Sequence, residues 1–218
     1  MVLPGFPHHV TQRGNRRQQT FFCDEDYRAY IDLTAEWCRR GGIEVWAYCL
    51  MPNHIHLIAV PSSADGLRLG GGEAHRRYPR RVNFRARWRG HLWQGRFASF
   101  VLDDDYLLAA TRYVEMNPVR AGLVDRAEAY RWSSAAAHLA GRDDLLAKAA
   151  PLLEIVGDWR RFLSAPIAEG TGQKLQRHER TGRPLGDKSF LARLESLLNR
   201  VLKPRKAGRK PKRQAKLV

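Results

Sequence analysis

Two histidines separated by one isoleucine lie inside an apolar run, YCLMPNHIHLIAV, at residues 48–60. In a β-strand, residues i and i+2 share a face. His54 and His56 then stand side by side, while Ile55, Leu57 and Ala59 turn the other way into a core. A strand gains nothing in packing from two imidazoles on one face, so that face is expected to bind something. Farther along, Tyr113 and Asn117 are four apart in DDDYLLAATRYVEMNPVRAG, which puts them one turn apart on the same side of a helix. Two imidazoles and an amide oxygen make a three-point cradle for Mg²⁺ or Mn²⁺, with positions left open for water and a phosphate oxygen. Such an ion acts as a Lewis acid on the phosphate, and the phenol of Tyr113 beside it would be the nucleophile. A free phenol has a pKa near ~10, so its ionisation needs the ion and nearby arginines.

The elements that must position these groups follow from the hydrophobic pattern. Residues 6–12 predict a first strand. The next segment predicts a helix from Asp24, as its N-cap, to the stop at Gly41–Gly42. Residues 43–50 and 54–60 predict a hairpin around Met51–Pro52–Asn53. Residues 61–72 read as a loop, and their glycines lack phosphate-loop spacing. A basic helix at 73–89 precedes a strand at about 96–102. Asp103–Asp105 then favour the start of a helix that halts before Pro118. The order β-α-β-β-α-β-α predicts an α+β fold: a ferredoxin/RRM-like antiparallel sheet with helices on one face. The other face is expected open, lined by His54, His56 and Ile58, with the tyrosine helix able to close over it. Glu115 falls on a different helix face and is expected to be solvated. Phe190, Leu194, Leu197 and Val201 form one stripe of an amphipathic helix at 189–202. The chain therefore divides into a main domain at 1–140, a helical extension at 141–202 and a basic, disordered tail at 203–218.

Charge is segregated along the chain. The net charge is +16. Residues 1–60 balance, residues 61–100 carry 9 Lys/Arg against 2 Asp/Glu, residues 101–170 are slightly acidic, and residues 171–218 carry 15 against 3. Two basic blocks flanking a neutral body point to a polyanion, and nucleic acid is the expected one. Arg76, Arg77, Arg80, Arg81 and Arg96 are interleaved with Tyr78, Phe84 and Trp88. Cations track a phosphate backbone and aromatic faces stack on unpaired bases. Trp93 and Phe97 are expected in the core instead. Arg13, Arg16 and Arg17, just after the first strand, join the expected DNA-binding set. No stretch has the length of an apolar membrane span, and the N-terminus lacks a secretory pattern. Cys23, Cys38 and Cys49 form no C-x-x-C pair. The expectation is a cytoplasmic protein without disulfides. Cys49 and His54 would be half of a zinc site, but no second pair has the spacing to complete it.

MPNHIHL resembles the histidine–hydrophobe–histidine motif of the HUH superfamily of single-strand DNA nucleases and transposases. RYVEMNPVRAGLV resembles the tyrosine-bearing helix of its single-tyrosine branch. HHVTQRGN, GHLWQGRF and YRWSSAAAH fit one subgroup, the REP-associated tyrosine transposases, so the likeness spans roughly residues 8–138. TGRPLGDKSF looks like one C-terminal variant of that subgroup. The resemblance implies a reaction in which Tyr113 attacks a phosphodiester of single-stranded DNA, leaving a 5′-phosphotyrosine and a free 3′-hydroxyl. It implies His54 and His56 as metal ligands with Asn117 as the third, Mg²⁺ or Mn²⁺ as cofactor, and hairpin-forming palindromes as substrate. It favours a monomer over a dimer that shares its sites. The competing expectation is a hairpin-binding regulatory protein that has lost catalysis. An RNA-binding module is disfavoured because the strands lack stacking aromatics. His8 and His9 receive no role, and nothing marks His75, His91, His138 or His178 as ligands.

Overall fold

The computed structural model describes residues 1–202. The basic tail expected to be disordered, 203–218, lies outside the described residues. The chain divides into two compact units, Met1–Gly186 and Asp187–Val218. The first holds a four-stranded sheet: β1 (His8–Arg13), β2 (Ile43–Met51), β3 (His54–Pro61) and β4 (Ala98–Val101). The strand order is β2-β3-β1-β4, and all three pairings are antiparallel. This is the ferredoxin/RRM-like order the sequence predicts.

The helices are α1 (Asp24–Arg40), α2 (Gly66–Leu69), α3 (Gly71–Ala86), α4 (Asp104–Glu115), α5 (Asn117–Arg120), α6 (Ala135–Leu139), α7 (Ala150–Ile155), α8 (Trp159–Ser164), α9 (Thr171–Thr181) and α10 (Lys188–Leu198). The N-cap of α1 is Cys23, in extended conformation, not Asp24. Asp24 instead sits in the first turn with Glu25 and Asp26, where carboxylates favour the helix dipole. The expected loop at 61–72 contains α2 and the start of α3. Asp103 caps α4, its carboxylate accepting the Tyr106 N–H at 2.8 Å. In α10 only Phe190 and Leu194 of the predicted stripe are buried.

Alternation along the strands splits the core in two. Val10, Ile55, Leu57 and Ala59 face α1 and α3, where Phe21, Tyr27, Tyr30 and Tyr78 form an aromatic cluster. Each such fully buried ring is worth about 1.5–3 kcal/mol of transfer free energy. On the other face lie Ala47, Cys49, Met51, Ile58, Phe100 and Leu102. A register shift between Val45 and Ala47 turns Ala47, Cys49 and Met51 onto this face and leaves Tyr48 and Leu50 in the first core, so Cys49 pairs with His56 and Met51 with His54. The face is not open. Leu107, Ala110 and Val114 of α4, with Leu152, Trp159, Phe162, Leu163 and Leu175 of later helices, cover it. Helices thus occupy both faces rather than one. The reason is that the segment after residue 125, which carries no clear periodicity, folds back as a third layer. Among the described residues no helix is long and apolar enough to cross a membrane.

Glu115 corrects a second expectation. It is fully buried rather than solvated. One carboxylate oxygen accepts from Ser134 Oγ at 2.5 Å and from His138 Nδ1 at 2.6 Å, and the other from Trp159 Nε1 at 2.9 Å. Ser134 also accepts the Tyr48 N–H of β2 at 2.9 Å. One carboxylate therefore ties α4 to α6, α8 and the sheet. Glu115→Ala leaves three buried donors without an acceptor. It should cost about 2–4 kcal/mol, given ~1–3 kcal/mol per unsatisfied group and partial relaxation. Urea unfolding measures this, and a loss below ~0.5 kcal/mol would show that the carboxylate is not an anchor.

Two other buried histidines make the fold acid-sensitive. His8 donates from Nδ1 to the Phe6 carbonyl (2.8 Å) and accepts the Leu3 N–H at Nε2 (3.1 Å). His75 Nε2 lies 2.6 Å from the Tyr30 hydroxyl. Burial lowers both pKa values from 6.5 to about 4. The unfolded chain then takes up these protons first. Stability is complete above pH 6.5 and declines as pH falls toward 4. Melting temperatures recorded in steps from pH 7.5 to 4.5 should fall progressively, and a flat profile would contradict this.

Candidate active site

His54 and His56 project from β3 with ring centroids 4.9 Å apart and planes nearly perpendicular. In each ring Nδ1 is already engaged. His54 Nδ1 lies 2.6 Å from the side-chain oxygen of Asn53, to which it donates. His56 Nδ1 lies 2.9 Å from His9 Nε2. The Nε2 atom of His56 is buried and has no hydrogen-bond partner among the described residues. Burial, and secondarily Arg13, lowers the His54 pKa to about 3. Burial first, then the neighbouring His54, His9, Arg13 and Arg120, holds His56 well below 6.5. Both imidazoles are therefore neutral, with lone pairs to give.

Tyr113 comes from α4, on the helix face turned to the sheet. Its ring is 6.0 Å from the His56 ring and perpendicular to it, and only 7% of its surface is exposed. The Arg120 guanidinium lies 4.3 Å from the Tyr113 ring centroid, a cation–π contact. On another side is Gly172 in the first turn of α9. A Cβ at this position would lie 3.0 Å from the tyrosine ring edge and 3.7 Å from its hydroxyl. Asn117 is not on the tyrosine helix itself. That helix ends at Glu115, and Asn117 opens α5 with Pro118 next to it. It is buried, and its Nδ2 has no partner.

Among the described residues, several buried polar atoms without a hydrogen-bond partner lie on this side of the sheet, while others, such as Thr34 Oγ1 and His75 Nδ1, lie on the α1–α3 side. The former include His9 Nδ1, Thr11 Oγ1, His56 Nε2, Thr111 Oγ1 and Asn117 Nδ2, and Thr11 pairs with His56 across β1 and β3. Buried polar groups without partners are costly and mark where another species belongs. Among the described residues no group of three His, Cys, Asp or Glu could hold a metal. A metal here would have two imidazoles and the Asn117 amide as protein ligands. The two imidazoles suit that role, because metal-bound histidines hold one ring nitrogen in a hydrogen bond, and Nδ1 is engaged in both rings.

The predicted DNA-binding residues separate into groups. Arg13 pairs with His54 across the β1–β3 ladder. Arg16 and Arg17 form a left-handed turn, both with positive φ. That turn is held by Asn53, whose Nδ2 donates to the Arg17 carbonyl at 3.1 Å. Asn53 thereby links the basic turn to His54. Arg16, Arg17, Arg80 and Arg96 are exposed. Arg76 and Arg77 bind Glu73, and Arg77 covers Trp37. Arg81 shares a groove with Arg77 and the acidic Glu25, Asp32 and Glu36 of α1. These last three arginines belong to the face opposite the histidines. Trp88 is half exposed and meets Phe22 edge-on at 5.2 Å. Phe84, at 90% exposure, lies one turn before it. Arg85 pairs with the buried Asp26, which also accepts the Phe22 N–H at 2.9 Å, so α1 and α3 hold this ledge in place. His9, Asn53, Arg120, Phe22 and Gly172 carried no assignment in the sequence. The HHVT and NPVR runs around His9 and Arg120 are the signals that could have found two of them.

The IS200-like transposase family profile matches residues 5–117, from before β1 to Asn117. A solved structure described as the REP-associated tyrosine transposase bound to a REP hairpin superposes with a TM-score of 0.55 and 21% identity. The match covers 68% of this chain and 88% of that one, a likeness of fold. A crystal structure of a putative transposase from Deinococcus radiodurans R1 gives a TM-score of 0.39 and 20% identity over 52% of this chain and 92% of that one. No curated protein matches the chain.

Proposed function

Because the chain belongs to the IS200-like transposase family, we propose that it cleaves and rejoins single-stranded DNA at hairpin-forming, REP-like sequences. Tyr113 attacks the scissile phosphorus. The Tyr113 O–P bond forms, the P–O3′ bond breaks, the departing 3′-oxygen takes up a proton, and the phenolic proton passes to solvent. Rejoining reverses these steps when a 3′-hydroxyl attacks the phosphotyrosine, so no ATP is needed. The observation that carries this reading is the 6.0 Å approach of the Tyr113 ring to His56. Both come from one chain, which supports a monomer with a complete site.

Mg²⁺ or Mn²⁺ held by His54, His56 and Asn117 would supply Lewis-acid polarisation of the phosphate oxygens. The chain's own residues do the rest. The buried imidazoles stay neutral as ligands, and Arg120 orients the phenol ring. Arg13, Arg16 and Arg17 draw the phosphate backbone to the histidine end of β3. The Phe22–Phe84–Trp88 ledge offers ring faces to unpaired bases, with Arg80 and Arg96 as further backbone contacts.

Full-length protein incubated with a single-stranded hairpin oligonucleotide and Mn²⁺ should give an adduct stable in SDS. The adduct should vanish with chelator and in Tyr113→Phe. Hairpin binding without an adduct under any divalent metal would support the alternative, a catalytically silent regulatory protein. Efficient cutting of plain duplex would contradict both.

Phe84→Ala with Trp88→Ala should weaken single-strand binding by about 1–3 kcal/mol per lost stack. The melting temperature should hold, because Phe84 in particular buries little. Unchanged affinity in an anisotropy titration would remove the ledge from the DNA path.

A further inference from the structure

We propose that His9 is a positioning residue for the proposed metal site, accepting the Nδ1 proton of His56 at its own Nε2 and so leaving His56 Nε2 bare. The inference rests on the reading of His54 and His56 as metal ligands.

His9 and His8 are neighbours with opposite environments. His8 satisfies both ring nitrogens locally, with the Phe6 carbonyl and the Leu3 N–H. It needs no further explanation. His9 is 1% exposed, and its hydrogen bond is to His56, while its Nδ1 has no partner. An apolar residue would fill this space at less cost, since a buried nitrogen without a partner gives up its hydration for nothing. The two rings lie nearly in one plane, centroids 5.1 Å apart and planes within 18°, as a ring-to-ring hydrogen bond requires, and His9 is braced edge-on by Phe100 at 5.2 Å. The β1–β3 register sets this up. His9 pairs with Ile58, so it is the diagonal neighbour of His56 on the same face.

The hydrogen bond has two arrangements, and only one serves a metal. If His9 donates from Nε2, His56 must accept at Nδ1 and carry its proton on Nε2, which then has no lone pair to offer. If His56 donates, both rings hold their proton on Nδ1 and His56 Nε2 is free. His54 has the equivalent arrangement through Asn53, whose side-chain oxygen can only accept. The two ligands thus have separate positioning groups, one on β1 and one in the β2–β3 turn.

Long-range proton–nitrogen NMR on the metal-free, full-length protein should show His56 protonated at Nδ1 and bare at Nε2. Mn²⁺ binding, followed by the EPR signal of free Mn²⁺, should weaken about 10–100-fold in His9→Phe, which keeps the ring but removes the acceptor. His9→Gln, whose amide oxygen can accept, should recover part of that loss. The inference is overturned if wild-type His56 carries its proton on Nε2, or if a folded His9→Phe binds Mn²⁺ like wild type. His56→Ala separates the two readings. If it leaves Mn²⁺ affinity unchanged, the metal site itself is misassigned, whatever His9 does. Should His9→Phe fail to fold, the wild-type tautomer decides.

Discussion

The pairing of β1 with β3 is the constraint on which the site depends. Its register sets Arg13 opposite His54, Thr11 opposite His56 and His9 opposite Ile58. A slip of one residue would turn the histidines of β3 toward the α1–α3 core and put Ile55 and Leu57 under α4. Two features oppose such a slip. Ile55 and Leu57 are essentially inaccessible to solvent in the first core, and the two-residue turn at Pro52–Asn53 fixes how β2 and β3 begin to pair. The same turn carries Asn53, which contacts both His54 and the Arg17 carbonyl. Backbone pairing and site geometry therefore share a residue, and a loosened turn would disturb both.

The second requirement is the position of α4. A helix packed on a sheet can slide or rotate by a fraction of a turn unless something polar fixes it, because apolar contacts have little direction. Glu115 supplies the direction. Two residues beyond Tyr113, its carboxylate accepts three hydrogen bonds from Ser134, His138 and Trp159. These donors sit on segments that also contact the sheet. Small residues at Ala47 and Cys49 of β2 let the helix approach closely, and both are fully buried. The order around Tyr113 thus comes from a buried polar hub two residues away, with the surrounding hydrophobic layer supplying the stability. The C-terminal half of the first unit is then part of the scaffold that holds Tyr113 in place.

Much of this was legible in the sequence because it follows from short periodicities. A period of two put His54 and His56 on one face, and a helical period put Tyr113 beside the residues of α4 that pack on the sheet. What the sequence could not show was anything set by a distant segment. Glu115 looked solvated because the residues that bury it lie beyond position 130 and have no strong pattern of their own. Asn117 looked helical with Tyr113, yet the helix ends earlier, at Glu115, and Asn117 begins a separate turn. The arginines of α3 looked alike in a row. Their partners separate them: Arg76 and Arg77 meet Glu73, Arg85 meets Asp26, and Arg80 remains exposed. Net charge counts cations, and only the fold says which are already neutralised.

The surroundings of Tyr113 impose an order on events at the site. His56 occupies its edge, Arg120 one ring face, and the first turn of α9 lies within van der Waals reach of the phenol, where a Cβ at Gly172 would come to 3.0 Å from the ring edge. In the proposed reaction a phosphate would come within bonding distance of that oxygen, so an incoming strand and α9 would compete for the same space. The competition is not one-sided. α9 carries Lys174, Arg177 and Arg180 against Glu179, so DNA that displaces its first turn still meets a helix of favourable charge. Lys174 meets Tyr106 at its hydroxyl, 3.3 Å away, and over its ring. Such exposed contacts are worth little, and a phosphate, with full negative charge, would be the stronger partner. Packing against Tyr113 and a surplus of positive charge are thus combined in one short helix.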